Sequence, residues 1–123
     1  MSGNNKAVIL VVDDDPAVRE ALKFSLEVEG FRVHACQSGE ELLEHPSLRS
    51  SDCIILDYMM PGMDGLEVLD SLAKAHIATP VIFITGPVTK LLGQRAIEKG
   101  ARLVMEKPLL DKSLAQQVHE LTA

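Results

Sequence analysis

The chain has no tryptophan, one tyrosine and three phenylalanines, so aromatics amount to only 3% of it. Few rings are available to stack a flat cofactor such as a flavin, and the core must come from Val, Ile, Leu, Ala and Met. Positive charge is also short: 12 basic against 18 acidic residues leave a net charge of −6. That sign repels phosphate backbones and anionic lipid surfaces, which argues against direct nucleic-acid or membrane binding. Like charges form no run long enough for a disordered tail. Apolar runs are short, and none reaches the length of a membrane span. The N-terminal "MSGNNK" has no apolar segment of the kind a signal peptide needs. Cysteine is limited to Cys36 and Cys53, each in or beside an apolar stretch. They are expected to be reduced, buried thiols of a cytoplasmic protein, too far apart in sequence for a compact metal motif.

What is present describes one domain. The 123 residues are 46% hydrophobic and 24% charged, enough to bury a core. Five apolar runs stand out: Ala7 to Val12, Phe31 to Cys36, Cys53 to Leu56, Pro80 to Thr85 and Ala101 to Met105. All but the second are nearly continuous, as strands covered on both faces are. "FRVHA" alternates, as an edge strand does.

Helical patterns separate these runs. Asp15-Pro16 predicts an N-cap followed by proline in the first turn. Val18, Leu22 and Leu26 form its apolar stripe, and Gly30 ends it. Ser38 with Glu41 predicts a capping box on a short second helix. Leu66, Leu69, Leu72 and Ala73 stripe a third helix, and Val88, Leu91, Leu92, Ala96 and Ile97 a fourth. Leu114, Val118 and Leu121 stripe the last, entered through Asp111. Strict β-α alternation predicts an α/β fold: a single-domain flavodoxin-like (βα)5 architecture over residues 1–123, with a parallel five-stranded sheet in order 2-1-3-4-5 and helices on both faces.

In such sheets ligands bind beyond the carboxyl ends of the strands, where the strand order reverses. The residues predicted there are Asp13, Asp14 and Asp15 after the first strand, Asp57 after the third, Thr85 after the fourth and Lys107 after the fifth. A phosphate-cradling loop would carry Gly, Ser or Thr after the first strand, but this chain carries "DDDP". Asp15 serves as the helix cap. Asp13 and Asp14, with Asp57 across the switch point, form a cluster of hard oxygen donors suited to Mg²⁺. A hydroxyl at Thr85 and an ammonium at Lys107 on the same rim can hold the outer oxygens of a phosphoryl group. Asp57, at the tip of the middle strand, is the best placed nucleophile for an acyl-phosphate.

The stretches "VVDDD", "ILDYMMPGMDG", "FITG" and "MEKP" resemble the receiver domain of bacterial two-component response regulators. The CheY-like pattern covers nearly the whole chain and is nearest to nitrogen-fixation and nitrate-response receivers. The resemblance implies that Asp57 is the phosphoacceptor and that Thr85 and Lys107 serve the transferred group. Asp14 would be the direct Mg²⁺ ligand and Asp13 an acidic partner acting through metal-bound water, with the Met59 carbonyl as a further ligand. It implies a cis Lys107–Pro108 bond. It also implies a sensor histidine kinase or histidine phosphotransfer protein as donor, and an output partner. Monomer or weak phosphorylation-dependent dimer is the expected state. No effector domain is expected within these 123 residues, which would be either a stand-alone receiver or a piece of a larger regulator. The chain is expected to be a switch and not an enzyme, catalysing only its own phosphorylation and slow dephosphorylation. None of the four histidines stands at a strand end, so the phosphodonor is expected on another protein.

Two positions depart from the family pattern. Val104 stands three residues before Lys107, where many receivers have an aromatic. Pro87 stands two residues after Thr85 and offers no N–H. Pro87 and Met59 flank the expected path of an attacking water and cannot orient it, so slow self-hydrolysis is expected. Three alternatives remain. A Mg²⁺-dependent aspartyl-phosphate phosphatase would need a second aspartate at Met59. A flavin binder would need a different first loop. A degenerate receiver would have lost the capacity to be phosphorylated.

Overall fold

Branched aliphatic residues fill five parallel strands: β1 (Val8–Val12), β2 (Arg32–Cys36), β3 (Cys53–Asp57), β4 (Val81–Thr85) and β5 (Leu103–Glu106). They were located in a computed structural model that describes residues 6–107, 109 and 112–123. The expected Lys107–Pro108 bond and the entry of the last helix at Asp111 lie outside the described residues. Five helices alternate with the strands: α1 (Pro16–Val28), α2 (Gly39–Leu43), α3 (Gly65–Lys74), α4 (Lys90–Glu98) and α5 (Ser113–Thr122). The strand order is β2-β1-β3-β4-β5, all parallel, as the alternation of elements predicted.

The two-residue period of the strands divides the core into two layers. Leu10, Val12, Ile54, Leu56 and Phe83 face one side and meet Leu42, Val68, Leu69, Leu72 and Ala96 from α2, α3 and α4. Ile9, Val11, Ile55, Ile82 and Ile84 face the other and meet Leu22, Leu26, Leu114, Ala115 and Val118 from α1 and α5. Each fully buried aliphatic side chain contributes about 1.5–3 kcal/mol of transfer free energy. Cys36 and Cys53 are free and buried within these layers, and burial pushes both thiols up to about 12.

Several local expectations need correction. β5 starts at Leu103 because the chain after Gly100 (φ 112) first docks Ala101 under α4 and only then reaches its partner Ile82. It is also half-exposed, having a neighbour on one side only. In α3 the buried stripe is Val68, Leu69 and Leu72, with Ala73 outside it. In α4 only Ala96 is buried; Leu91 and Ile97 are half or more exposed, because this helix lies over the β4–β5 edge and has little sheet to cover. The box at Ser38 is half made: its hydroxyl accepts from the Glu41 N–H, but the Glu41 carboxylate accepts from Gln37. The complete box is at Asp64 and Glu67 in α3. Asp15 caps α1 as expected, accepting from Ala17.

Candidate functional site

Strand register gathers the polar ends. Val12 pairs with Leu56, so Asp13, just beyond β1, stands beside Asp57 at the end of β3. Asp57 pairs with Ile84, which places Thr85 one residue further along β4. Thr85 pairs with Glu106 of β5, and Lys107 follows; its N–H donates to the Thr85 carbonyl at 2.7 Å. Asp13, Asp57 and Thr85 are buried at 2%, 4% and 3% exposure, among the few polar side chains in the interior. Asp14 is exposed.

Lys107 closes the pocket from two strands away. Adjacent strands lie about 4.8 Å apart, and only a long side chain spans from β5 past β4. Its Nζ donates to Asp13 Oδ2 at 3.1 Å and lies 3.1 Å from Asp57 Oδ1. Asp13 is fixed further. Its Oδ1 accepts from the Asp15 N–H at 2.9 Å, and its carbonyl accepts from Arg19 Nη1 at 2.8 Å.

One ammonium is therefore shared by two buried carboxylates. Burial, and then the charge of Asp13, push the Asp57 carboxyl up to about 6 although Lys107 pulls it down. Burial draws Lys107 down, but its hydrogen bonds to Asp13 and Asp57 prevail and hold it above its ordinary value. The pocket carries more negative charge than Lys107 balances. Carboxylate oxygens of Asp13, Asp14 and Asp57 lie within 4.8 Å of one another. Hard, closely spaced anionic oxygens with uncompensated charge fit a small divalent cation.

The loop after β3 explains its glycines. Gly62 turns with φ 79, and Asp64 caps α3. Gly65 passes directly beneath the strand end: a Cβ there would stand 2.7 Å from the Asp57 carbonyl and 2.7 Å from Phe83 Cε1. Its N–H donates to the Tyr58 carbonyl at 2.8 Å. Met59 lies in the same loop with its side chain 69% exposed and no carboxyl to offer as a general acid.

Asp13, Asp14, Asp57, Thr85 and Lys107 stand at or just past their strand ends on this rim, and Met59, whose carbonyl was the expected further ligand, lies in the loop after β3 with its side chain in solvent. Sequence reasoning missed Arg19 and Gly65. Arg19 carried no sequence signal. The Asp-Gly pair at Asp64 and Gly65 is a signal for the second, but such a pair marks a helix start as readily as a close approach.

A family model described as the response regulator receiver domain matches residues 9–119. The transcriptional regulatory protein SrrA of Staphylococcus aureus is 34% identical over 113 residues, covering 92% of this chain and 46% of SrrA. The chain thus spans about half the length of the curated relatives it matches. The receiver domain of Francisella response regulator 1452 superimposes with a TM-score of 0.89 at 28% identity, covering 95% of this chain and 97% of that one. The response regulator TrrA of Thermotoga maritima, solved in complex with Mg²⁺-BeF, gives 0.83 at 32% identity, covering 94% and 98%.

Proposed function

Because the chain belongs to the response regulator receiver domain family, we propose that it is a phosphorylation switch with Asp57 as acceptor. The observation that supports this most is the sharing of Lys107 Nζ by buried Asp57 and Asp13. A nucleophilic carboxylate at a strand tip, with a cation already in contact, is arranged for phosphoryl transfer.

A carboxylate oxygen of Asp57 attacks phosphorus and forms an O–P bond. The bond from phosphorus to the donor nitrogen breaks, and its electron pair stays on the donor imidazole. Lys107 stays beside the reacting oxygens and offsets the charge carried in. Thr85, buried at the adjacent strand end, offers its hydroxyl to the arriving oxygens. Asp13 holds Lys107 in place through Oδ2 and is itself fixed by Asp15 and Arg19. Asp13, Asp14, Asp57 and the Met59 carbonyl would hold Mg²⁺, which when bound supplies charge neutralisation for the transferred group.

The donor in this reading is a sensor histidine kinase or a histidine phosphotransfer protein, and the phosphoryl group changes the affinity for an output partner. The chain acts as a switch in the cytoplasm, not as a turnover enzyme, and is a monomer or a weak dimer when phosphorylated. Among the described residues no helix is long and apolar enough to cross a membrane. The test is intact mass after incubation with Mg²⁺ and acetyl phosphate. A gain of one phosphoryl group that requires both the metal and Asp57, and is absent in Asp57→Asn, is the expected result. No gain under any condition would return the chain to the degenerate class.

A further inference from the structure

α4 is weakly built at its N-terminus. Its cap, Thr89, is neutral and accepts from the Leu92 N–H at 3.1 Å. Its first turn carries no acidic residue and starts with Lys90, a cation at the positive end of the helix dipole. Gly93 lies inside the helix, where glycine is unfavourable, and only Ala96 is buried. The segment that enters α4 contains Pro87, which has no N–H to give. The next donor is the N–H of Val88, and it donates to Glu106 Oε1 at 3.0 Å, across 18 residues.

Glu106 therefore supplies what α4 lacks: an acceptor for the entering backbone and a negative charge near the helix N-terminus. Its position in the chain gives that contact a second meaning. Glu106 is the register partner of Thr85 and the immediate neighbour of Lys107. The Lys107 N–H is tied to the Thr85 carbonyl and its Nζ to Asp13 and Asp57. A continuous path runs from the Asp57 carboxylate through Lys107 to Glu106 and on to Val88. The side chain at Val104 contributes no ring to such a path.

We propose that Glu106 is the positioning residue that couples the Asp57 pocket to α4, holding the α4 entry through Val88 while Asp57 is unmodified and releasing it when Asp57 is phosphorylated. This rests on the phosphoacceptor reading above. New negative charge on Asp57 draws Lys107 Nζ toward it. The backbone joining Lys107 to Glu106 moves with it, and the carboxylate leaves the Val88 N–H. The freed helix and the segment that enters it then present Leu91, Ile97 and Val88, which are already 61%, 50% and 37% exposed, in a different arrangement.

The experiment is residue-resolved amide hydrogen exchange on wild type, Glu106→Ala and Glu106→Gln, unmodified and after Mg²⁺ with acetyl phosphate, with intact mass recorded for each. In unmodified protein the Val88 amide of Glu106→Ala should exchange about tenfold faster than wild type, the size of one hydrogen bond to a charged acceptor. Glu106→Gln keeps an acceptor oxygen and should stay nearer wild type. On phosphorylation, exchange of Val88 through Leu92 should rise in wild type and not rise further in Glu106→Ala, although both gain the mass. Equal Val88 exchange in unmodified wild type and Glu106→Ala overturns the tie. A phosphorylated wild type with unchanged Val88 exchange, or a full response kept in phosphorylated Glu106→Ala, overturns the coupling alone. A wild type that gains no mass overturns the phosphoacceptor reading and the coupling with it, while the unmodified comparison still decides the tie.

Discussion

Gly65 lies so close beneath Asp57 that a Cβ on it would stand 2.7 Å from the Asp57 carbonyl oxygen, with Phe83 equally near on another side. Both neighbours are parts of the sheet: Asp57 ends β3, and the Phe83 ring is fully buried. Neither yields cheaply. Gly65→Ala should therefore lift the first turn of α3 away from the strand and disturb the loop that carries Met59. The expected cost is about 1–3 kcal/mol, the usual range for overpacking a close-packed interior. Urea unfolding measures it, and acetyl phosphate labelling should slow in the same variant. A variant as stable as wild type would show that the helix can move aside freely.

The electrostatics of Asp57 predict a pH-dependent stability in metal-free buffer. Its carboxyl titrates at about 6 in the folded chain against an ordinary 3.8. Between these values the folded state binds the proton and the unfolded state has released it. Stability from this group therefore falls as pH rises through that window and is fully lost above it. Asp57→Asn removes the loss. In EDTA the variant should match wild type near the lower value and exceed it above the upper one, by on the order of 2–3 kcal/mol. Added Mg²⁺ should narrow the gap by stabilising wild type alone. Parallel stability curves across this range would show that the buried carboxylate is already balanced.

The strand ends were legible because each of four apolar runs stops at a residue with a charge or hydroxyl, and parallel strands put those stops on one rim. Cys53 to Leu56 is closed by Asp57, and Pro80 to Thr85 ends on the hydroxyl of Thr85 itself. The burial of α4 was not legible. Val88, Leu91, Leu92, Ala96 and Ile97 have the spacing of a wide apolar stripe, and periodicity records spacing without recording how much sheet lies beneath. The helix sits over the β4–β5 edge, so most of that stripe stays in water. Gly65 was hidden for a related reason. A tertiary approach between a helix start and a strand end leaves no periodic trace, and the Asp-Gly pair satisfies a local capping rule equally well. Val88 and Glu106 meet only because β4 and β5 pair.

His76 offers a test of backbone strain. It follows the α3 C-cap with φ 57, the one non-glycine with positive φ among the described residues. Helices commonly end in this conformation, but with glycine. The side chain is exposed, so replacing it removes strain without opening the core. His76→Gly should raise stability by about 0.5–1 kcal/mol, the relief being partly offset by the greater freedom of glycine in the unfolded chain. Thermal unfolding at neutral pH measures it. A lower Tm would mean that the imidazole contributes an interaction larger than the strain.

The lifetime of the phosphorylated state should be set by what surrounds Asp57 and not by Asp57 itself. Hydrolysis of an acyl-phosphate needs a water aligned with the O–P bond, and a side chain that hydrogen-bonds that water speeds the reaction by positioning it. Two positions beside the pocket can serve, Met59 after Asp57 and Pro87 after Thr85. Methionine sulfur is a weak acceptor, and proline has neither an N–H nor a polar side chain. The Met59 side chain is also 69% exposed, so a replacement meets no packing constraint. Met59→Asn places an amide that can both donate and accept at this position. It should shorten the half-life of the phosphorylated chain about tenfold, less than the roughly 10²–10⁴-fold of a positioned acid or base because an amide only orients the water, while leaving the rate of labelling by acetyl phosphate close to wild type. The check is a dephosphorylation time course followed by intact mass after donor removal. An unchanged half-life would mean that water already reaches phosphorus along a route that Met59 does not border, and Pro87 would then be the position that limits it.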